Sequence, residues 1–119
     1  MVEPAEDMGQ LDRDVLTGNG HEVSWEKDVQ DAVHAADQST PDAVVLELAI
    51  PGHNGVEFLH EFRSYTEWMD IPVIVHSVVA PDRSPAGQRL MRSLGIAQHL
   101  YKPTTRLKKL LATTEEALM

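Results

Sequence analysis

At 119 residues the chain is the size of one domain, with room for a substantial core. It has no cysteine, which excludes disulfides, thiolate metal sites and cysteine nucleophiles. A net charge of −9, with lysine only at Lys27, Lys102, Lys108 and Lys109, argues against nucleic-acid binding by this domain. No apolar run approaches the roughly 20 residues that a membrane helix needs, and no signal peptide is visible. A cytoplasmic protein that does not engage the membrane is the expectation.

Strand-like and helix-like periods alternate along the chain. Asp7 to Thr17 places Met8, Leu11, Val15 and Leu16 on one helical face and is stopped by Gly18-Asn19-Gly20. His21 to Trp25 is a short strand candidate. Asp28 to Asp37 puts Val29, Ala32, Val33 and Ala36 on one side of a second helix. Ala43 to Leu46 is an apolar run suited to a strand covered on both faces. Gly55 to Ser64 is a helix with Val56, Leu59 and Phe62 inward. Ile71 to His76 is a second buried strand. Pro85 to Leu94 is a helix with Leu90, Met91 and Leu94 inward, ended by Gly95. Gln98 to Tyr101 is a last short strand, and Arg106 to Leu118 closes the chain as a helix with Leu107, Leu110, Leu111 and Leu118 inward. Such alternation implies one α/β domain over residues 1–119, a parallel sheet with helices on both faces. A first strand has only Met1-Val2 to supply it.

The most informative stretch is Ala43-Val44-Val45-Leu46-Glu47-Leu48-Ala49-Ile50-Pro51-Gly52-His53-Asn54-Gly55. An acid just past a buried strand lies at the carboxyl edge of a sheet, where open α/β folds keep their chemistry. This stretch resembles the phosphoacceptor strand and loop of response-regulator receiver domains, the chemotaxis-regulator type, and the likeness extends over nearly the whole chain. The resemblance implies a flavodoxin-like α/β/α sandwich with a five-stranded parallel sheet, order 2-1-3-4-5, its first strand truncated. It also implies two-component signalling with a histidine kinase or a downstream signalling protein as partner, and no enzyme activity of its own.

Carried over residue by residue, the resemblance makes Glu47 the equivalent of the family's phosphoacceptor Asp. The family's pair of magnesium-binding acids falls on Glu3 and Pro4, and Pro4 has no side-chain oxygen. The backbone carbonyl that ligates metal in the family would belong to Ala49, so Glu3, Glu47 and Ala49 are the candidate Mg2+ ligands. Ser77 and Lys102-Pro103 match the family's Ser/Thr and Lys-Pro. His99 stands where the switch aromatic would be, with Ser77 the other switch-equivalent residue. An alternative register takes Glu6-Asp7 as the acid pair and Met1 to Ala5 as the first strand, at the expense of a proline within that strand.

Glu47 reaches roughly 1.5 Å further than Asp, the length of one C–C bond. In an in-line transfer a misplacement of about 1 Å costs roughly a hundredfold. The departures at Pro4 and Glu47 both act against phosphorylation. A phosphorylation-independent pseudo-receiver acting through protein contacts is therefore the expectation, with a phosphorylatable, Mg2+-dependent receiver as the alternative. The family's output surface maps to the fourth helix, the Gln98 to Tyr101 strand and the last helix, where a homodimer is a further expectation. Duller readings stand beside these: Glu47 as a remnant paired with Lys102, Ser77 as a strand end, His76 as a hydrogen-bonded core residue, and Trp25 and Trp68 as packing or surface aromatics.

Overall fold

The computed structural model describes residues 1–119. Helix α1 spans Glu6–Thr17, α2 Val29–Gln38, α3 Gly55–Ser64, α4 Pro85–Ser93 and α5 Leu107–Ala117. The strands are β1 (Val44–Leu46), β2 (Ala49–Ile50), β3 (His53–Asn54), β4 (Val73–Ser77) and β5 (Ile96–Tyr101). Local chemistry sets several boundaries. Asp28, Asn54 and Ser84 cap α2, α3 and α4, accepting from the amides of Asp31, Glu57 and Gly87 respectively. Pro85 follows its cap at a position where a missing N–H costs nothing. Gly95, at φ +66°, ends the turn after α4.

β1, β4 and β5 form a parallel sheet in the order β1-β4-β5, while β2 and β3 make a small antiparallel pair beside it. Regular parallel strands thus number three, not the five expected. Val2 adds one parallel bridge to Leu46 and one to Glu26. The expected His21 to Trp25 strand does not form; on that side the chain pairs at Ser24, whose carbonyl accepts from the Met1 ammonium at 2.7 Å, and at Glu26, which bridges Val2. A cavity of about 610 Å³ lies along this edge, lined by Val2, Leu16, Ala36, Val44, Phe58 and Phe62 among others.

Successive strand residues point to opposite faces, and the core divides accordingly. Val44, Leu46, Val73 and Val75 join Phe58, Leu59, Phe62 and Trp68 in the larger cluster. Phe62 stacks on Trp68 with centroids 5.0 Å apart, so Trp68 is a core residue. Val45 and Ile74 face the other way, where Leu100 and Leu110 complete a much smaller apolar cluster. That face is filled out by polar side chains: Asp12 of α1, His76 of β4 and Thr113 and Thr114 of α5 are all buried.

The helical faces differ from expectation at three leucines. Leu11, Leu90 and Leu118 are exposed. In α1 the buried stripe is Gly9, Asp12 and Leu16, one position round from Met8, Leu11 and Val15. Gly9 selects that stripe because the Trp25 ring lies against it. A β-carbon at position 9 would come within 1.9 Å of Trp25 Cζ2. Gly9→Ala is therefore expected to lose about 1–3 kcal/mol through overpacking, despite alanine's better helix propensity. Urea denaturation followed by tryptophan fluorescence measures it, and an unchanged midpoint would mean the ring moves aside freely.

Candidate functional site

Four expected residues meet at the carboxyl edge of the sheet. Glu3 follows the bridging Val2, Glu47 follows β1, Ser77 ends β4, and Lys102 follows β5 at the start of a 3-10 turn, Lys102–Thr104. Parallel strands that end in register deliver their next residues to one place, which is how positions 3, 47, 77 and 102 converge. Glu3, Glu47 and Ser77 are buried, and the Lys102 side chain is 7% exposed.

The Lys102 ammonium sits between the two acids. It donates to Glu3 Oε1 and, at 2.7 Å, to Glu47 Oε1. The Val78 amide adds a second donor to Glu47 Oε1 at 3.1 Å. Glu47 Oε2 takes the Ser77 hydroxyl and the Ala49 amide, the latter at 3.0 Å. Two donors per oxygen fill the roughly four lone-pair sites of a carboxylate. Burial alone would push the Glu47 carboxyl up; the Lys102, Ser77, Ala49 and Val78 hydrogen bonds outweigh it and hold the group below its ordinary value. Burial would likewise lower Lys102, but Glu3 and Glu47 raise it.

Glu3 is held on its other side as well. Its Oε2 accepts from the Ala5 amide at 3.1 Å, and its carbonyl accepts from Trp25 Nε1 at 2.9 Å. Pro4 offers nothing to this network. Magnesium, implied by the resemblance, does not fit these residues. One of the two acids expected at its site is a proline, the facing oxygens of Glu3 and Glu47 are taken up by an ammonium, and Ala49 turns its amide toward the pocket. No cluster of three or more His, Asp or Glu suited to a metal is present.

The alternative register is corrected by the same geometry. Glu6 and Asp7 are exposed in the first turn of α1, and Glu6 pairs with Lys27 outside the pocket. His99 is half-buried on β5, and its Nε2 donates to the Val79 carbonyl at 2.8 Å. Ser77 Oγ in turn accepts from the Val79 amide at 2.9 Å. Hydrogen bonds therefore run from Glu47 through Ser77 and Val79 to β5. His53 and His60 are exposed and do not meet at a site.

Residues 1–115 match the family described as the response regulator receiver domain. The chain belongs to that family. The receiver is 27% identical over 121 residues to the KDP operon transcriptional regulatory protein KdpE of Escherichia coli, covering 96% of this chain and 52% of that protein. It is 33% identical over 61 residues to Protein PilH of Pseudomonas aeruginosa, covering 51% of this chain and 50% of that one. The receiver thus spans about half the length of these curated relatives. In fold it is similar to the Vibrio cholerae chemotaxis protein CheY4, with a TM-score of 0.84 at 22% identity over 98% of this chain and 93% of that one. A CheY-like receiver domain protein of Methanospirillum hungatei gives the same TM-score at 16% identity, over 98% and 89% of the two chains.

Sequence reasoning missed Asp12. It lies 3.1 Å from His76 Nδ1 through Oδ2, and its Oδ1 is buried without a partner. The signal was present: Asp12 falls at i+3 from Gly9 and i−4 from Leu16, so a helix buried along Gly9 and Leu16 must bury it too. Nothing in the sequence pointed to the backbone donors from Ala49 and Val78.

Proposed function

We propose that this receiver relays signals through protein contacts without depending on phosphorylation of its acceptor position. The supporting observation is the Glu47 carboxylate, whose two oxygens already hold four donors. A nucleophile attacking a phosphoryl group needs a free lone pair aimed at phosphorus. Here attack would first require breaking the bond to Lys102 or to Ser77. Those two side chains instead treat Glu47 as they would treat an added anion, and the bonds from Ser77 through Val79 to His99 extend that state to β5. The carboxylate brings about one charge where a phosphoryl group brings roughly two, so the active-like state is held by geometry more than by charge. A histidine kinase or a downstream signalling protein is the proposed partner class, met through α4, β5 and α5.

Trp25 reports on the pocket because its indole is bonded to Glu3. Native protein titrated with magnesium and beryllofluoride is expected to show no change in tryptophan fluorescence. A Pro4→Asp, Glu47→Asp variant, which restores both missing acids, is expected to give a saturable change. Saturation in the native protein would replace this reading with a working phosphorelay receiver.

A further inference from the structure

The cavity beside Val2 lies at the amino edge of the sheet, bounded by the start of β1 and the ends of α1, α2 and α5, opposite the Glu47 pocket. Its floor is Val44, Phe58 and Phe62, and α2 gives its wall only Ala32, Ala35 and Ala36. Three alanines in one wall leave room that larger apolar residues would fill. The resulting 610 Å³ falls within the roughly 300–1,000 Å³ usual for small-molecule sites. The mouth has a different chemistry. Glu22, Glu26 and Asp42 line it, Glu22 and Asp42 exposed, and none of the three is ion-paired to a side chain. No lysine or arginine lines the cavity. The two other titratable groups there do not balance the acids. His21 is engaged by Glu115 at 3.1 Å. The Met1 ammonium is held by the Ser24 carbonyl, and burial pushes its pKa down to about 6 although Glu26 draws it up.

We infer that this cavity binds a small amphipathic amine, its apolar body against Val44, Phe58 and Phe62 and its ammonium among Glu22, Glu26 and Asp42. Removing the apolar body from water supplies the main driving force. The mouth then selects the head group. Carboxylates around one opening repel one another, and a cation placed among them is attracted to each. An anion of the same shape would meet like charge there, so the site discriminates by repulsion as well as attraction. A second copy of this chain is a poorer occupant, because the mouth is acidic and each copy carries a net charge of −9. Nothing in this site depends on the state of Glu47.

Calorimetric titration with octylammonium, octanol and octanoate compares one apolar body under three head groups. Octylammonium is expected to bind at one site with a Kd of about 1 mM or tighter. Octanol should bind more weakly and octanoate weakest, and added salt should narrow the differences. The variant Glu22→Gln, Asp42→Asn is expected to weaken octylammonium about fivefold and leave octanol unchanged. Ala36→Leu fills the cavity and is expected to weaken octylammonium and octanol alike by about tenfold or more. Ala35→Leu, on the same wall but half-buried, makes the same test should the Ala36 variant fail to fold. No binding of octylammonium, equal binding of octanoate, or no effect of the mouth variant would overturn the inference. Unchanged binding in a folded wall variant would overturn it too, by placing the amine elsewhere on the acidic surface. So would a native dimer, found by sedimentation, that octylammonium leaves intact.

Discussion

Replacing Lys102 with methionine is expected to cost about 3–5 kcal/mol at neutral pH, the usual scale for removing one partner of a buried ion pair. Methionine keeps an unbranched chain of similar length, so packing changes little. What changes is that Glu3 and Glu47, 2% and 3% exposed, face each other without a cation. The pH dependence separates this cause from simple loss of volume. In the native protein Glu47 is held below its ordinary value of 4.5, so its contribution is present above that pH and is lost as pH falls through the lower, folded value. Lys102 is raised above 10.5, so its contribution is complete below that pH and fades as pH rises through the higher, folded value. Between about pH 5 and 10 the contributions of Glu47 and Lys102 are therefore constant. In the variant the sign reverses. Burial without a cation raises the Glu47 carboxyl, it binds a proton more tightly folded than unfolded, and stability rises as pH falls from 7 toward 5. Urea denaturation at both pH values measures this. A deficit that stays constant on acidification would mean that the two acids had found other partners.

The second large effect is at the buried pair beneath α1. His76→Phe is expected to cost about 3–5 kcal/mol, because it leaves the Asp12 carboxylate, 1% exposed, with neither oxygen bonded. Adding Asp12→Leu should restore most of that loss, since exchanging a whole buried polar pair for apolar groups is often neutral or stabilising. Chemical denaturation of the two single variants and the double variant closes the cycle. Losses that simply add would show that Asp12 and His76 do not act as a unit.

Both predictions turn on buried polar residues, and these mark where the sequence was easy and hard to read. The helices were legible because Val29, Ala32 and Ala36, or Leu59 and Phe62, repeat at helical spacing and have caps at their starts. The β1 and β4 strands were legible as short apolar runs. The pocket was legible because Glu47, Ser77 and Lys102 each sit just at the end of a strand, and parallel strands bring such positions together. The buried stripe of α1 was not legible, because hydrophobicity favours Leu11 over Asp12. The choice is made by tertiary contacts, Trp25 against Gly9 and His76 against Asp12, which no local period encodes. The second strand was misread for a related reason. His21 to Trp25 has the residues of a strand, but a strand exists only through its partner, and Val2 bridges the chain at Glu26, one residue past that run.

The contact between Glu3 and Lys102 gives the pocket a mechanical meaning. The opening residues of the chain are fastened by backbone hydrogen bonds from Met1, Val2 and Glu3 to Ser24, Glu26, Val45 and Glu47, and by the Glu3 side chain on Lys102. Lys102 is thus a latch as well as a charge. Anything that draws the ammonium away from Glu3 also slackens the first strand, the Trp25 indole bonded to it, and the α1 turn that begins at Ala5. Rearranging the pocket therefore also disturbs the Trp25 indole and the start of α1, both of which Glu3 holds.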